Sequence, residues 1–61
     1  MTPSVFVFLV LVTAAGHREP MIDMTSEGYS FCRKTAIFMN RGRDFARQGK
    51  YDCDFFENKH N

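Results

Sequence analysis

The sequence predicts a small, mostly α-helical peptide: a signal peptide, then a short helical hairpin with an extended C-terminal tail, closed by one disulfide and carrying a partly disordered arm. Three observations lead there. An unbroken apolar run, Val5-Phe6-Val7-Phe8-Leu9-Val10-Leu11-Val12, is followed by the small residues Thr13-Ala14-Ala15-Gly16. Apolar residues recur at helical spacing between Phe31 and Ala46, and Cys32 and Cys53 bracket that stretch. The implied organisation is a signal peptide over 1–16, a flexible arm over 17–29 and a disulfide-stapled helical peptide over 30–61.

A secretory leader needs an apolar core of about 7 to 15 residues followed by small side chains that fit the signal peptidase. Gly16 and Ala14 satisfy the small-residue positions for a cut before His17; Ala15 and Thr13 do so for a cut before Gly16. Met1-Thr2-Pro3-Ser4 departs from the usual form in lacking Lys or Arg. Two other readings compete: a retained membrane anchor, for which the run is short of the roughly 20 residues a spanning helix needs, and a buried strand of a cytosolic protein.

From His17 to Gly28 the chain contains Pro20, a Thr25-Ser26 pair and no consistent apolar face, which predicts an extended arm. Beyond Ser30, taken as the N-cap because its hydroxyl can accept a free backbone N–H, the pattern becomes helical. At about 100° per residue, Phe31, Thr35, Phe38, Met39, Gly42, Phe45 and Ala46 fall on one side and Arg33, Lys34, Arg41, Arg43 and Arg47 on the other, with Ile37 the exception. A continuous helix from Cys32 to Gln48 is about 24 Å long, whereas the five steps back to Cys53 span at most about 17 Å. A disulfide needs its Cα atoms within about 6 Å, so the helix must break. Asn40-Arg41-Gly42 offers the place, giving a helix over about 30–40, a turn, and a shorter helix over about 43–48 stopped at Gly49. In the tail, Tyr51, Cys53 and Phe55 alternate with Asp52 and Asp54, an extended pattern whose apolar side could cover Phe31 and Phe38.

A chain of this size buries too little apolar surface to fold comfortably without a staple. Two cysteines in a short exported chain normally pair, and closing their loop restricts the unfolded ensemble by about 3 kcal/mol. An intermolecular bond, giving a disulfide-linked dimer instead of a monomer, is the other use of the same cysteines.

The formal charge of +1 conceals segregation: Arg33, Lys34, Arg41, Arg43, Arg47 and Lys50 face only Asp44 in the middle of the chain, while Asp52, Asp54 and Glu57 follow, with Lys59 beyond them. A Cys32–Cys53 bridge gathers all six cations in one loop. Guanidinium groups pair bidentately with carboxylate, phosphate or sulfate, so this loop is the candidate target-binding set, with Phe31, Phe38, Phe45, Phe55 and Phe56 as aromatic support. The expected function is that of a secreted extracellular binding ligand of toxin, hormone or pheromone type, its partner a receptor or channel with an acidic surface. The alternatives are a cationic membrane-active peptide at an anionic bilayer and a small single-pass membrane protein that keeps its apolar segment. Nucleic acid is not an expected target for an exported peptide.

Arg33-Lys34 could be a processing site, although cutting there breaks the helix. No catalytic or cofactor site is expected. Asp52, Asp54 and Glu57 lack the water-excluding cleft that catalysis requires and the ligand number and glycine turn of a calcium loop. His17 and His60 stand at opposite ends and make no metal pair, and export should oxidise Cys32 out of any nucleophilic role.

Overall fold

The apolar run is a β-strand. In the computed structural model, which describes residues 4–58, β1 (Ser4–Val12) is the central member of a three-stranded antiparallel sheet. Its Val, Phe and Leu residues favour extended backbone, and the apolar run Val5 to Val12 suits a strand flanked on both edges, with Leu9 buried on one face and Val10 on the other. One edge carries β2 (Arg18–Asp23) and the other β3 (Lys50–Asn58), giving the order β2-β1-β3. Between β2 and β3 the chain forms α1 (Tyr29–Met39) and α2 (Phe45–Gln48), and α1 lies against β3 and β1. Lys59 and His60 lie outside the described residues, as do the first three residues of the expected leader.

This overturns the mostly α hairpin. The stretch expected to be discarded supplies the central strand, the arm expected to be flexible contains β2, and the expected free tail is β3, paired with β1 from Ser4↔Asn58 to Val12↔Lys50. The cause is a missing partner. The Tyr51 to Phe55 alternation already marked an extended chain, but assigning 1–16 to a leader removed the only segment with which it could hydrogen-bond.

The residues expected at the cleavage site make the β1–β2 turn. The Gly16 N–H donates to the Thr13 carbonyl at 2.9 Å, the Thr13 N–H to the His17 carbonyl at 2.9 Å, and the His17 N–H to Thr13 Oγ1 at 3.1 Å. Pairing then slips once: Leu9 faces Ile22 but Val10 faces Pro20, leaving Met21 as a bulge. At the far end of β2, Thr25 continues the ladder with a side chain in place of backbone, its hydroxyl accepting the Val7 N–H at 3.0 Å and donating to Asp23 Oδ1 at 2.6 Å. That donated bond is the main reason the Asp23 carboxyl lies below its ordinary pKa.

On the sheet face toward α1, Val7, Leu9 and Cys53 meet Cys32, Ala36 and Met24, with Tyr51 at the margin. The helix therefore buries Cys32 and Ala36, and the Phe31/Phe38 face expected to form the core points elsewhere. Cys32 is fixed over Cys53 by the disulfide, Cα to Cα 6.2 Å. One turn later Ala36 is small enough to let the helix backbone approach the sheet, and a phenylalanine there would hold it off. The helix begins at Tyr29 with Gly28 as its N-cap, two residues before the expected cap Ser30, which lies inside the helix, and no side chain caps it.

The helical break falls at Asn40-Arg41-Gly42, and Asn40 has a second use. Its amide donates to the Tyr51 carbonyl at 2.9 Å and accepts the Tyr51 N–H at 2.7 Å, doing for the outer edge of β3 what another strand would do. Such satisfaction matters because a bare strand edge invites pairing with other chains. Beyond α2, Gly49 turns into β3 at φ +73°, and a Cβ there would stand 2.5 Å from the Val12 carbonyl oxygen. Both conditions require glycine.

Candidate binding surface

The cations of the disulfide loop have unequal duties. Arg33, on α1, reaches over the edge of the sheet to Asp52, 2.8 Å from Nη1 to Oδ1. Arg43 closes the α2–β3 corner: Nε donates to the Gly49 carbonyl at 3.1 Å, Nη2 to the Gln48 carbonyl at 2.6 Å, and the guanidinium lies 4.8 Å from the centre of the Tyr51 ring. These two belong to the scaffold. Lys34, Arg41, Arg47 and Lys50 make no ion pair with any described residue, and Arg41 rests 5.5 Å from the centre of the Phe38 ring.

Sequence reasoning missed the cation that manages the acidic tail. Arg18 of β2 donates to Asp54 from Nε at 2.7 Å and from Nη2 at 2.6 Å, and from Nη2 to Asp52 at 2.8 Å. β1 lies between those strands, so the guanidinium spans the sheet on the side away from α1, above Val10, which is fully buried. The hydrogen bonds to Asp54 and then Asp52 push the Arg18 guanidinium further up from an already high pKa, and the bond from Arg18 holds the Asp52 carboxyl below its ordinary value against a smaller desolvation cost. Charge pattern gave no signal for it, since the arm, with Glu19, Asp23 and Glu27 beside Arg18, is acidic on balance like the tail, and only the strand order brings Arg18 over Asp52 and Asp54.

The aromatic residues do not form one miniature core. Tyr29 stacks on Phe55, centroids 4.7 Å apart and planes at 13°, where the start of α1 meets the end of β3. Phe56 meets Phe8 edge to face at 5.3 Å on the side of the sheet without helices. Phe31 and Phe38 are 51% and 63% exposed, and Phe45 is also exposed. They cover little of the molecule's own surface.

What α1 turns outward is ordered. With Cys32 and Ala36 down, Lys34 and Arg41 do not stand on the side opposite Phe31 and Phe38 as expected: the outward side of α1 carries Phe31, Lys34 and Phe38, with exposed Ile37 beside them and Arg41 just past the helix end. The result is a solvent-facing row of alternating aromatic and cationic side chains on a helix tied down by a disulfide. Arg47 stands apart on α2, and Lys50 opens β3. Among the described residues no group of three His, Cys, Asp or Glu could hold a metal ion, and no helix is long and apolar enough to cross a membrane.

No family model, curated protein or solved structure matches this chain.

Proposed function

We propose that the protein is a binding ligand of an extracellular or other oxidising compartment, docking on an acidic protein surface through the outward row Phe31, Lys34, Ile37, Phe38 and Arg41. The observation that carries this reading is the exposure of that row: two large aromatic side chains lie open beside cations that make no ion pair with any described residue. Exposed aromatics and arginine are the residue types that concentrate binding energy at protein interfaces. Carboxylates opposite Lys34 and Arg41 would add steering and register. The Cys32–Cys53 bond supports the compartment, since structural disulfides persist where thiols are oxidised.

This reading keeps residues 4–12 in the working molecule. A cut before His17 would remove the strand that pairs with both β2 and β3 and would strip Leu9 and Val7 from the core. N-terminal sequencing and intact mass of material from secreting cells test that point: recovery of a disulfide-bonded product beginning at His17 would refute it.

The docking claim is tested with fluorescently labelled full chain on intact cells. Saturable, protease-sensitive binding that weakens with salt is expected, together with its loss in a Phe38→Ser, Arg41→Glu double variant whose circular dichroism is unchanged. Equal binding by that variant refutes the assignment. Binding that transfers undiminished to protein-free anionic vesicles favours the membrane-surface alternative instead.

A further inference from the structure

We infer that the corner between the β1–β2 turn and α2 is a binding site for a small organic carboxylate with an apolar body. Val12, Thr13, Ala14, Phe45, Ala46 and Lys50 line a shallow groove, open to solvent, of about 420 Å³, room for a small molecule. The lining divides by chemistry. Val12, Ala14, Ala46 and the exposed Phe45 ring offer an apolar floor and one aromatic wall, and Lys50 is the pocket's single charge.

Lys50 has no carboxylate partner among the described residues, whereas neighbouring Asp52 and Asp54 are both taken by Arg18, and Asp52 by Arg33 as well. Thr13 supplies a second polar contact. Its Oγ1 accepts the His17 N–H at 3.1 Å, a bond that does not use the hydroxyl hydrogen. A cation and a hydroxyl donor on an apolar floor match a carboxylate attached to a ring or a branched alkyl group, because the charge is met by a charge-assisted hydrogen bond while the body displaces water from the floor.

Part of the lining is held in place: Thr13 lies in the turn hydrogen bonds with Gly16 and His17, and Lys50 is paired with Val12 in the β1–β3 ladder, next to Gly49, which stands against the Val12 carbonyl. It lies apart from the Phe31–Arg41 row and does not depend on it.

The probe is 3-phenylpropionate, titrated into ¹⁵N-labelled full chain with the disulfide intact. Saturable amide shifts are expected at Thr13, Ala14, Ala46 and Lys50, with a Kd below about 1 mM. Lys50→Met keeps the stem of the side chain and removes its charge, and should weaken binding about tenfold, the scale of one charge-assisted hydrogen bond. Neutral 3-phenylpropanol should bind the parent chain no better than the acid binds Lys50→Met. Ala46→Leu, which fills the pocket from an exposed helical position, should abolish the shifts while the dispersion of the spectrum persists. Absence of saturable shifts, unchanged affinity in Lys50→Met, or shifts concentrated on Phe31 and Phe38 would each overturn the assignment.

Discussion

Leu9→Ala separates a strand at the centre of a domain from a segment that merely resembles a leader. Leu9 is 0% exposed, opposite Ile22 on one neighbour and Cys53 on the other, and faces the helix layer. Truncating a fully buried leucine costs about 2 to 5 kcal/mol, from lost transfer free energy plus the cavity left behind. Val5, equally apolar and in the same strand, is 48% exposed, so Val5→Ala should cost less than about 1 kcal/mol. The total stability of a chain this size is only about 3 to 9 kcal/mol. A loss of about 3 kcal/mol at Leu9 is therefore a large share of it. Urea denaturation of the oxidised variants, followed by far-ultraviolet circular dichroism, reads the difference as a fall in midpoint for Leu9→Ala and a much smaller one for Val5→Ala. Equal midpoints would show that burial does not distinguish the two positions, and the central-strand assignment would fail with them.

Reducing the Cys32–Cys53 bond opens a loop with a sequence separation of 21, which on loop entropy costs about 3 kcal/mol; the reduced chain should be largely unfolded in moderate urea where the oxidised chain is folded. Gly49→Ala should lower the thermal midpoint sharply, since an added Cβ meets the Val12 carbonyl at 2.5 Å and φ is +73°, whereas a retained midpoint would mean the corner can open. Asp52 has a folded-state pKa below its unfolded one, so its contribution is present above the unfolded value near pH 4 and disappears as pH falls through the lower, folded one. Asp23 acts in the same direction. Denaturation midpoints at pH 7 and pH 2.5 should differ accordingly, and Asp52→Asn should shrink the difference by less than about 1 kcal/mol, because the ion pairs are open to solvent.

The sequence was most legible where a single local constraint decided the outcome. Chain reach alone required a break between Cys32 and Cys53; Asn40-Arg41-Gly42 supplied it, and Gly49 ended the second helix. The sheet was illegible for a different reason. An apolar run of this length meets the requirements of a leader core and of a strand covered on both faces, and no local periodicity separates the two. Choosing the first also hid the strand character of Arg18–Asp23, which has no buried side chain and shows only in its pairing with β1. The helix face was misjudged through size: the largest apolar residues were assumed to point inward, whereas tight packing against a sheet favoured the small pair Cys32 and Ala36. Within the candidate surface, the chemical types were readable, but the division of the arginines into scaffold and free groups required coordinates.

The strand order also dictates when the molecule can complete itself. β1 and β3 pair across a long separation in sequence, Ser4 with Asn58, so during synthesis the first strand waits for the third. Contacts so distant in sequence form late and slowly, and through that interval a run of valine, leucine and phenylalanine has β2 on one edge but its other edge bare, available to any factor that handles greasy nascent chains. The sheet thus closes only once β3 has been made and has come back to lie beside β1.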